Sequence, residues 1–138
     1  MEAASPARLY ASAVGALLVV LGILGFFYSA SFGDLDRYEE AFGALRVNGW
    51  LNLLYVATGA LGLLVAGAAS RGYSLANGLL YTVLAIVGWG SGTLNLVIGL
   101  LGLAAAAGTP TGRKRPVKKR RERARRSKPR AKPAGKGA

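Results

Sequence analysis

The sequence predicts an all-α membrane protein: four transmembrane helices arranged as two parallel helical-hairpin repeats, followed by a disordered basic tail. Three observations predict it. Charge is partitioned: residues 1–108 hold four basic side chains (Arg8, Arg37, Arg46, Arg71) against five acids, whereas residues 109–138 hold fourteen Lys or Arg against the single acid Glu122. The body is divided into uncharged runs over residues 9–33, 47–70 and 72–112. Those runs also repeat one another in order.

Each element follows from these runs. A spanning helix needs about 20 apolar residues, so the first two runs each predict one helix, over about 9–30 and 47–69. The first is too long for a signal-peptide core, its flank is weakly basic, and 28–30 is a poor cleavage site, so it reads as a retained helix. A single helix over the third run would be about 60 Å long, twice the hydrocarbon thickness. The chain must fold back, and Gly88-Trp89-Gly90-Ser91-Gly92 supplies the turn. Helices over about 72–88 and 92–108 result, either spanning fully or forming a re-entrant hairpin. Residues 1–108 are thus a four-helix domain, and residues 109–138 a polybasic tail with too little apolar surface to fold alone.

Lys and Arg placement sets the orientation. The tail should be cytoplasmic, which puts both termini inside a bacterial plasma membrane and residues 31–46 outside. That outer segment carries Asp34, Asp36, Glu39 and Glu40 against Arg37 and Arg46. It lacks the glycine and alternating spacing of a calcium loop and reads as a solvated acidic loop with at most one helical turn.

The first and third helices align without gaps through Gly15/Gly78, Leu17/Leu80, Val20/Val83, Leu21/Leu84, Ile23/Ile86 and Gly25/Gly88. The second and fourth align through Leu54/Leu94, Gly59/Gly99, Leu61/Leu101, Gly62/Gly102 and Leu63/Leu103. A two-helix unit begins and ends on one side, so two such units are parallel repeats about a pseudo-twofold along the membrane normal.

Composition excludes several chemistries. The chain has no Cys and no His, so thiolate chemistry and the commonest metal ligand are absent. No ionisable residue other than Tyr lies within a predicted span, which argues against ion-coupled transport and against an intramembrane hydrolase. No catalytic, cofactor-binding or metal-binding residues are predicted, and no cofactor.

Polar and small residues do recur at helical spacing. Asn48, Asn52, Tyr55, Gly59 and Gly62 form a stripe on the second helix, Tyr73, Asn77 and Tyr81 on the third, and Asn95, Gly99 and Gly102 on the fourth. Buried polar groups in lipid need partners, and small residues let backbones approach. The stripes therefore predict a helix-packing seam, with a polar cleft for a small ligand or partner helix as the alternative. In the tail, Arg113, Lys114, Arg115, Lys118, Lys119, Arg120, Arg121, Arg123, Arg125 and Arg126 are the residues expected to contact anionic head groups. Each contributes about 1 kcal/mol near such a surface. Nucleic acid is the competing polyanion, and without interleaved aromatics its binding would be non-specific.

At these residues the chain resembles a family of small actinobacterial four-helix membrane proteins classed as a domain of unknown function. That family carries Asn-x-x-His-Asn-x-x-His and spaced glycines on its second helix. Asn48, Asn52, Gly59, Gly62 and Leu63 match, while Leu51 and Tyr55 stand at the histidine positions. Its Arg-x-Tyr and Gly-x-x-Tyr patterns match Arg71, Tyr73, Gly78 and Tyr81. Ser91, Gly92 and Asn95 replace a fourth-helix Asp-Asn-x-x-His, with Gly99 and Gly102 kept. The resemblance covers about residues 8–108 and implies a four-helix membrane fold.

The expected function is that of a non-enzymatic structural or interaction protein, a possible homo-oligomer or partner of another membrane protein, with its tail on anionic inner-leaflet lipid. A tether whose tail binds nucleic acid or an acidic partner is the alternative, and a small-molecule channel or carrier the third reading.

Overall fold

The computed structural model describes residues 3–111, 125–127, 134–135 and 137. Among the described residues it is mostly helical, with four helices and one short hairpin in the order α1 (Pro6–Tyr28), β1 (Glu39–Ala41), β2 (Leu45–Val47), α2 (Gly49–Val65), α3 (Ser70–Val87) and α4 (Gly92–Gly108). Among the described residues, only α1 is long and apolar enough by length and composition to cross a membrane. The 17-residue helices α2 and α4 are shorter apolar segments.

Local chemistry sets the ends of the helices. Ser5 caps α1, accepting a hydrogen bond from Arg8 N–H, and Pro6 follows where its missing N–H costs nothing. This starts the helix ahead of its predicted beginning at residue 9. Asn48 caps α2 by accepting from Leu51 N–H at 2.8 Å. The helix ends at Val65, short of the predicted 69, because residues 66–69 turn the chain, with Ala68 and Ala69 N–H both donating to Val65 C=O. Gly88 closes α3 in the left-handed conformation (φ 73), and Trp89 N–H returns to Leu84 C=O.

The segment between α1 and α2 is largely exposed, as expected of a solvated acidic loop, but it carries strand pairing and no helical turn. It folds into an antiparallel hairpin in the register Glu39↔Val47, Glu40↔Arg46, Ala41↔Leu45. Four contacts explain why it is ordered. Tyr38 Oη accepts from Gly90 N–H (3.2 Å), Ser91 Oγ accepts from Arg46 N–H (2.8 Å), and Leu35 C=O accepts from both Trp89 Nε1 (2.8 Å) and Asn48 Nδ2 (3.0 Å). The hairpin thus lies over the α3–α4 turn and caps one end of the bundle. The opposite end carries the α2–α3 turn, the start of α1 and the end of α4.

The helices pack chiefly as two pairs, α1 on α2 and α3 on α4, with α1 also touching α3 and α4. The side chains fully enclosed are as often polar as apolar. Tyr55, Tyr81, Leu18, Leu51, Asn48, Asn52, Asn95 and Ser74 are the largest of them. The long apolar side chains point outward instead, including Leu17, Val20, Ile23 and Phe27 of α1, Leu64 of α2, Ile86 and Val87 of α3 and Leu100 of α4.

Candidate polar interior

Glycine sets how closely each helix pair approaches. A Cβ added at Gly15 would stand 2.9 Å from Gly59 O, and one at Gly59 would stand 2.6 Å from Gly15 O. In the other pair, a Cβ at Gly78 would meet Leu103 N at 2.7 Å and Gly99 O at 3.0 Å, and one at Gly99 would meet Gly78 O at 3.0 Å. Backbone therefore touches backbone in both crossings, the geometry that small residues permit.

Between the pairs, tyrosines reach across to main-chain carbonyls. Tyr10 Oη of α1 donates to Ile98 C=O of α4 at 2.9 Å. Tyr73 Oη of α3 donates to Thr58 C=O of α2 at 2.8 Å. The hydroxyl ends occupy the space that glycine leaves open: a Cβ at Gly102 would fall 2.7 Å from Tyr10 Oη, and one at Gly62 would fall 2.6 Å from Tyr73 Oη. The two rings lie with centroids 6.2 Å apart, tilted 45° to one another. Asn77 Nδ2 also donates to Tyr10 Oη, at 2.9 Å.

A second set lies nearer the hairpin end. Thr58 Oγ1 donates to Leu54 C=O at 2.8 Å, so Tyr81 Oη, also 2.8 Å away, is the donor to Thr58 Oγ1. Tyr81 stacks on Tyr55 at 6.0 Å. Tyr55 Oη donates to Asn95 Oδ1 (3.2 Å), and Asn95 Nδ2 donates to Trp89 C=O (2.7 Å), tying the α3–α4 turn to the interior. Asn52 Nδ2 donates to Ser29 C=O at 2.9 Å. Its Oδ1 is buried without a hydrogen-bond partner and packs where a Gly25 side chain would stand.

The opposite end is closed by a smaller knot. Thr109 Oγ1 accepts from Ala7 N–H (2.9 Å) and donates to Ala105 C=O (2.8 Å). Ser74 Oγ donates to Ala7 C=O (3.3 Å), and Arg71 Nε donates to Thr109 C=O (3.2 Å). The first and last turns of the bundle are thereby joined where the basic segment leaves it.

All of the predicted seam residues are buried. Asn52, Tyr55, Gly59, Gly62, Tyr73, Asn77, Tyr81, Asn95, Gly99 and Gly102 face the interior between helices, whereas Asn48 is set apart as a helix cap and loop anchor. Of the tail residues, Arg125 and Arg126 are described, helical and exposed. Arg113, Lys114, Arg115, Lys118, Lys119, Arg120, Arg121 and Arg123 lie outside the described residues. Interior polar residues absent from the sequence reading include Tyr10, Thr58 and Ser74. The signal for Tyr10 was present, because extending the Gly15/Gly78 alignment five residues back brings Tyr10 onto Tyr73.

The polar atoms of the interior are hydroxyls, amides and carbonyls, which suit it to holding helices together. Two open grooves, of about 510 and 780 Å³, lie at the hairpin end. None of the seam residues lines either one. The cross-pair bonds carry a direct prediction. Tyr73→Phe should cost about 0.5–1.5 kcal/mol in a detergent unfolding titration, the usual range for one hydrogen bond. Tyr10→Phe should cost more, because it also leaves Asn77 Nδ2 without its acceptor.

Among families of known proteins, the model described as "Domain of unknown function (DUF4383)" matches residues 8–95. Neither curated proteins nor solved structures give a match.

Proposed function

The chain belongs to that DUF4383 family, and from this premise we propose that it is a multi-pass integral membrane protein with a structural or interaction role and no catalytic activity of its own. One observation carries the reading: the packing is inverted. Asn, Tyr, Thr and Ser pair with one another or with carbonyls inside, while Leu, Ile, Val and Phe cover the outside of all four helices. A soluble protein rarely exposes so much contiguous apolar surface, whereas a bilayer requires it. Arg8 and Arg71 are the only formally charged residues in the four helices, each within the first turn of its own helix.

We infer further that the two helix pairs are repeats. Tyr10 aligns with Tyr73 at the same offset as Gly15 with Gly78, and Ile98 aligns with Thr58 at the same offset as Gly99 with Gly59. The hydrogen bonds Tyr10–Ile98 and Tyr73–Thr58, and the hydroxyl-over-glycine contacts at Gly102 and Gly62, are then related pairs. This supports a pseudo-twofold axis between the Tyr10 and Tyr73 rings, along the membrane normal. The bonds across the axis favour a packing seam over a ligand cleft.

In this reading the termini and the basic tail are cytoplasmic, the hairpin is external, and the tail rests on anionic inner-leaflet lipid. The protein should stay in the pellet through alkaline extraction of bacterial membranes, and a C-terminal reporter that works only in the cytoplasm should be active. Release by alkali would overturn the membrane reading. For the tail, a peptide of residues 109–138 should bind anionic vesicles and leave neutral ones at physiological salt. Binding to duplex DNA with no preference between the two vesicles would replace lipid by nucleic acid as its partner.

A further inference from the structure

The tip of the β1–β2 hairpin has an unexpected residue. Its turn places Phe42 (φ 55) and Gly43 (φ 70) in the left-handed region, with Ala44 N–H donating to Ala41 C=O at 3.2 Å. Asn, Asp or Gly ordinarily occupies such positions, because a bulky side chain there is strained. Phe42 is nevertheless half exposed, and its ring meets the Tyr28 ring at a centroid distance of 4.9 Å. An apolar ring presented outward from a strained turn gains nothing from water.

The position of Tyr28 tells what covers it. Counted from Arg8 at 1.5 Å per residue, Tyr28 stands about 30 Å along α1, one hydrocarbon thickness away. Phe42, held against Tyr28, therefore lies at the same level. The other aromatics there agree. Phe26, Phe27, Phe32, Trp50 and Trp89 all belong to the hairpin end, and both Trp Nε1 groups donate to loop carbonyls (Trp50 to Phe32, Trp89 to Leu35) while Trp50 remains half exposed. The remaining aromatics apart from Tyr38 are the four hydrogen-bonded interior tyrosines. The far end has Arg8, Arg71 and the basic tail instead. Aromatic rings with a polar edge concentrate at the boundary between head groups and acyl chains.

We propose that the hairpin is a membrane-interface clip, with Phe42, seated on Tyr28, entering the head-group–acyl boundary of the bilayer beside α1. This rests on the membrane reading above. The clip holds the hairpin flat across the bundle end, with Glu40, on the strand face opposite buried Ala41, turned to water.

The chain has no Cys, so one nitroxide label can be placed at a time in the full-length protein, reconstituted in phosphatidylethanolamine–phosphatidylglycerol vesicles. Collision of the label with oxygen relative to a water-soluble nickel chelate reports depth. Ile23→Cys, at an exposed mid-helix position, should give the highest oxygen-to-chelate ratio, Glu40→Cys the lowest, and Phe42→Cys a value several-fold above Glu40→Cys. Ala44→Cys keeps the phenyl ring in place and should also exceed Glu40→Cys, with its ratio falling when Phe42→Asn is added, since Asn accepts the left-handed turn. If the label at 23 reads as aqueous, the membrane reading itself fails. If 23 is deep but 42 and 44 match 40, or Phe42→Asn leaves 44 unchanged, the clip is wrong and the membrane reading stands.

Discussion

Gly59→Leu and Gly78→Leu should each prevent the bundle from assembling, while Gly72→Leu and Gly67→Leu should leave it intact. At Gly59 the first added carbon already stands 2.6 Å from Gly15 O and 2.7 Å from Val19 N, and at Gly78 it stands 2.7 Å from Leu103 N. These are main-chain atoms, which cannot rotate away as a side chain would, so the helices must separate. Overpacking by a few atoms costs roughly 1–3 kcal/mol in ordinary cores, and a Leu at a backbone crossing goes well beyond that against a total stability of about 5–15 kcal/mol. Separation also stretches the interior bonds of the same helices, including Tyr73–Thr58 at Gly59 and Tyr10–Ile98 at Gly78. At Gly67 and Gly72 an added Cβ meets nothing within 4 Å. The readout is a denaturing-detergent titration, with gel filtration of the folded fraction. Comparable losses for all four variants would mean that the close crossings do not set the fold.

The four-helix order was legible because its signals are one-dimensional. Uncharged run length gave four helices, and 88–92 broke the longest run where Gly88 and Gly90 adopt positive φ. The stripes at four-residue spacing were readable too, because a helix brings i, i+4 and i+7 to one face. What was not legible depends on partners distant in sequence. The hairpin at 39–47 lacks a strong turn signature and draws its order from Gly90, Ser91 and Trp89, more than forty positions away. Asn48 lies on the stripe by spacing, but as the cap just ahead of α2 its side-chain oxygen serves the free Leu51 N–H instead. Tyr10 was hidden by its place near the end of a run, where a tyrosine ordinarily reads as an interface residue.

Ending the chain at Pro110 should leave a protein that inserts in both orientations. The fourteen Lys and Arg of residues 109–138 would be gone, leaving Arg8 and Arg71 on one side of the proposed bundle and Arg37 and Arg46 on the other. Orientation follows the Lys and Arg difference in short flanking loops, with acids counting little, so the remaining two against two gives almost no bias. Single-Cys variants at Ala3 and Glu40, treated with a membrane-impermeant maleimide on intact cells, provide the readout. In the full-length protein only Glu40→Cys should react, and in the truncated protein both should react in part. Adding Arg37→Ala and Arg46→Ala to the truncated chain should restore labelling at Glu40→Cys alone, since two against none again favours one side. A scrambled tail of the same composition should restore it as well, because topology reads charge and not sequence. If the truncated chain keeps a single orientation, the body orients itself, and the tail's charge is then left for its lipid or polyanion partner. If only the native order of tail residues restores orientation, the tail acts by specific recognition, and the simple charge reading of this protein fails.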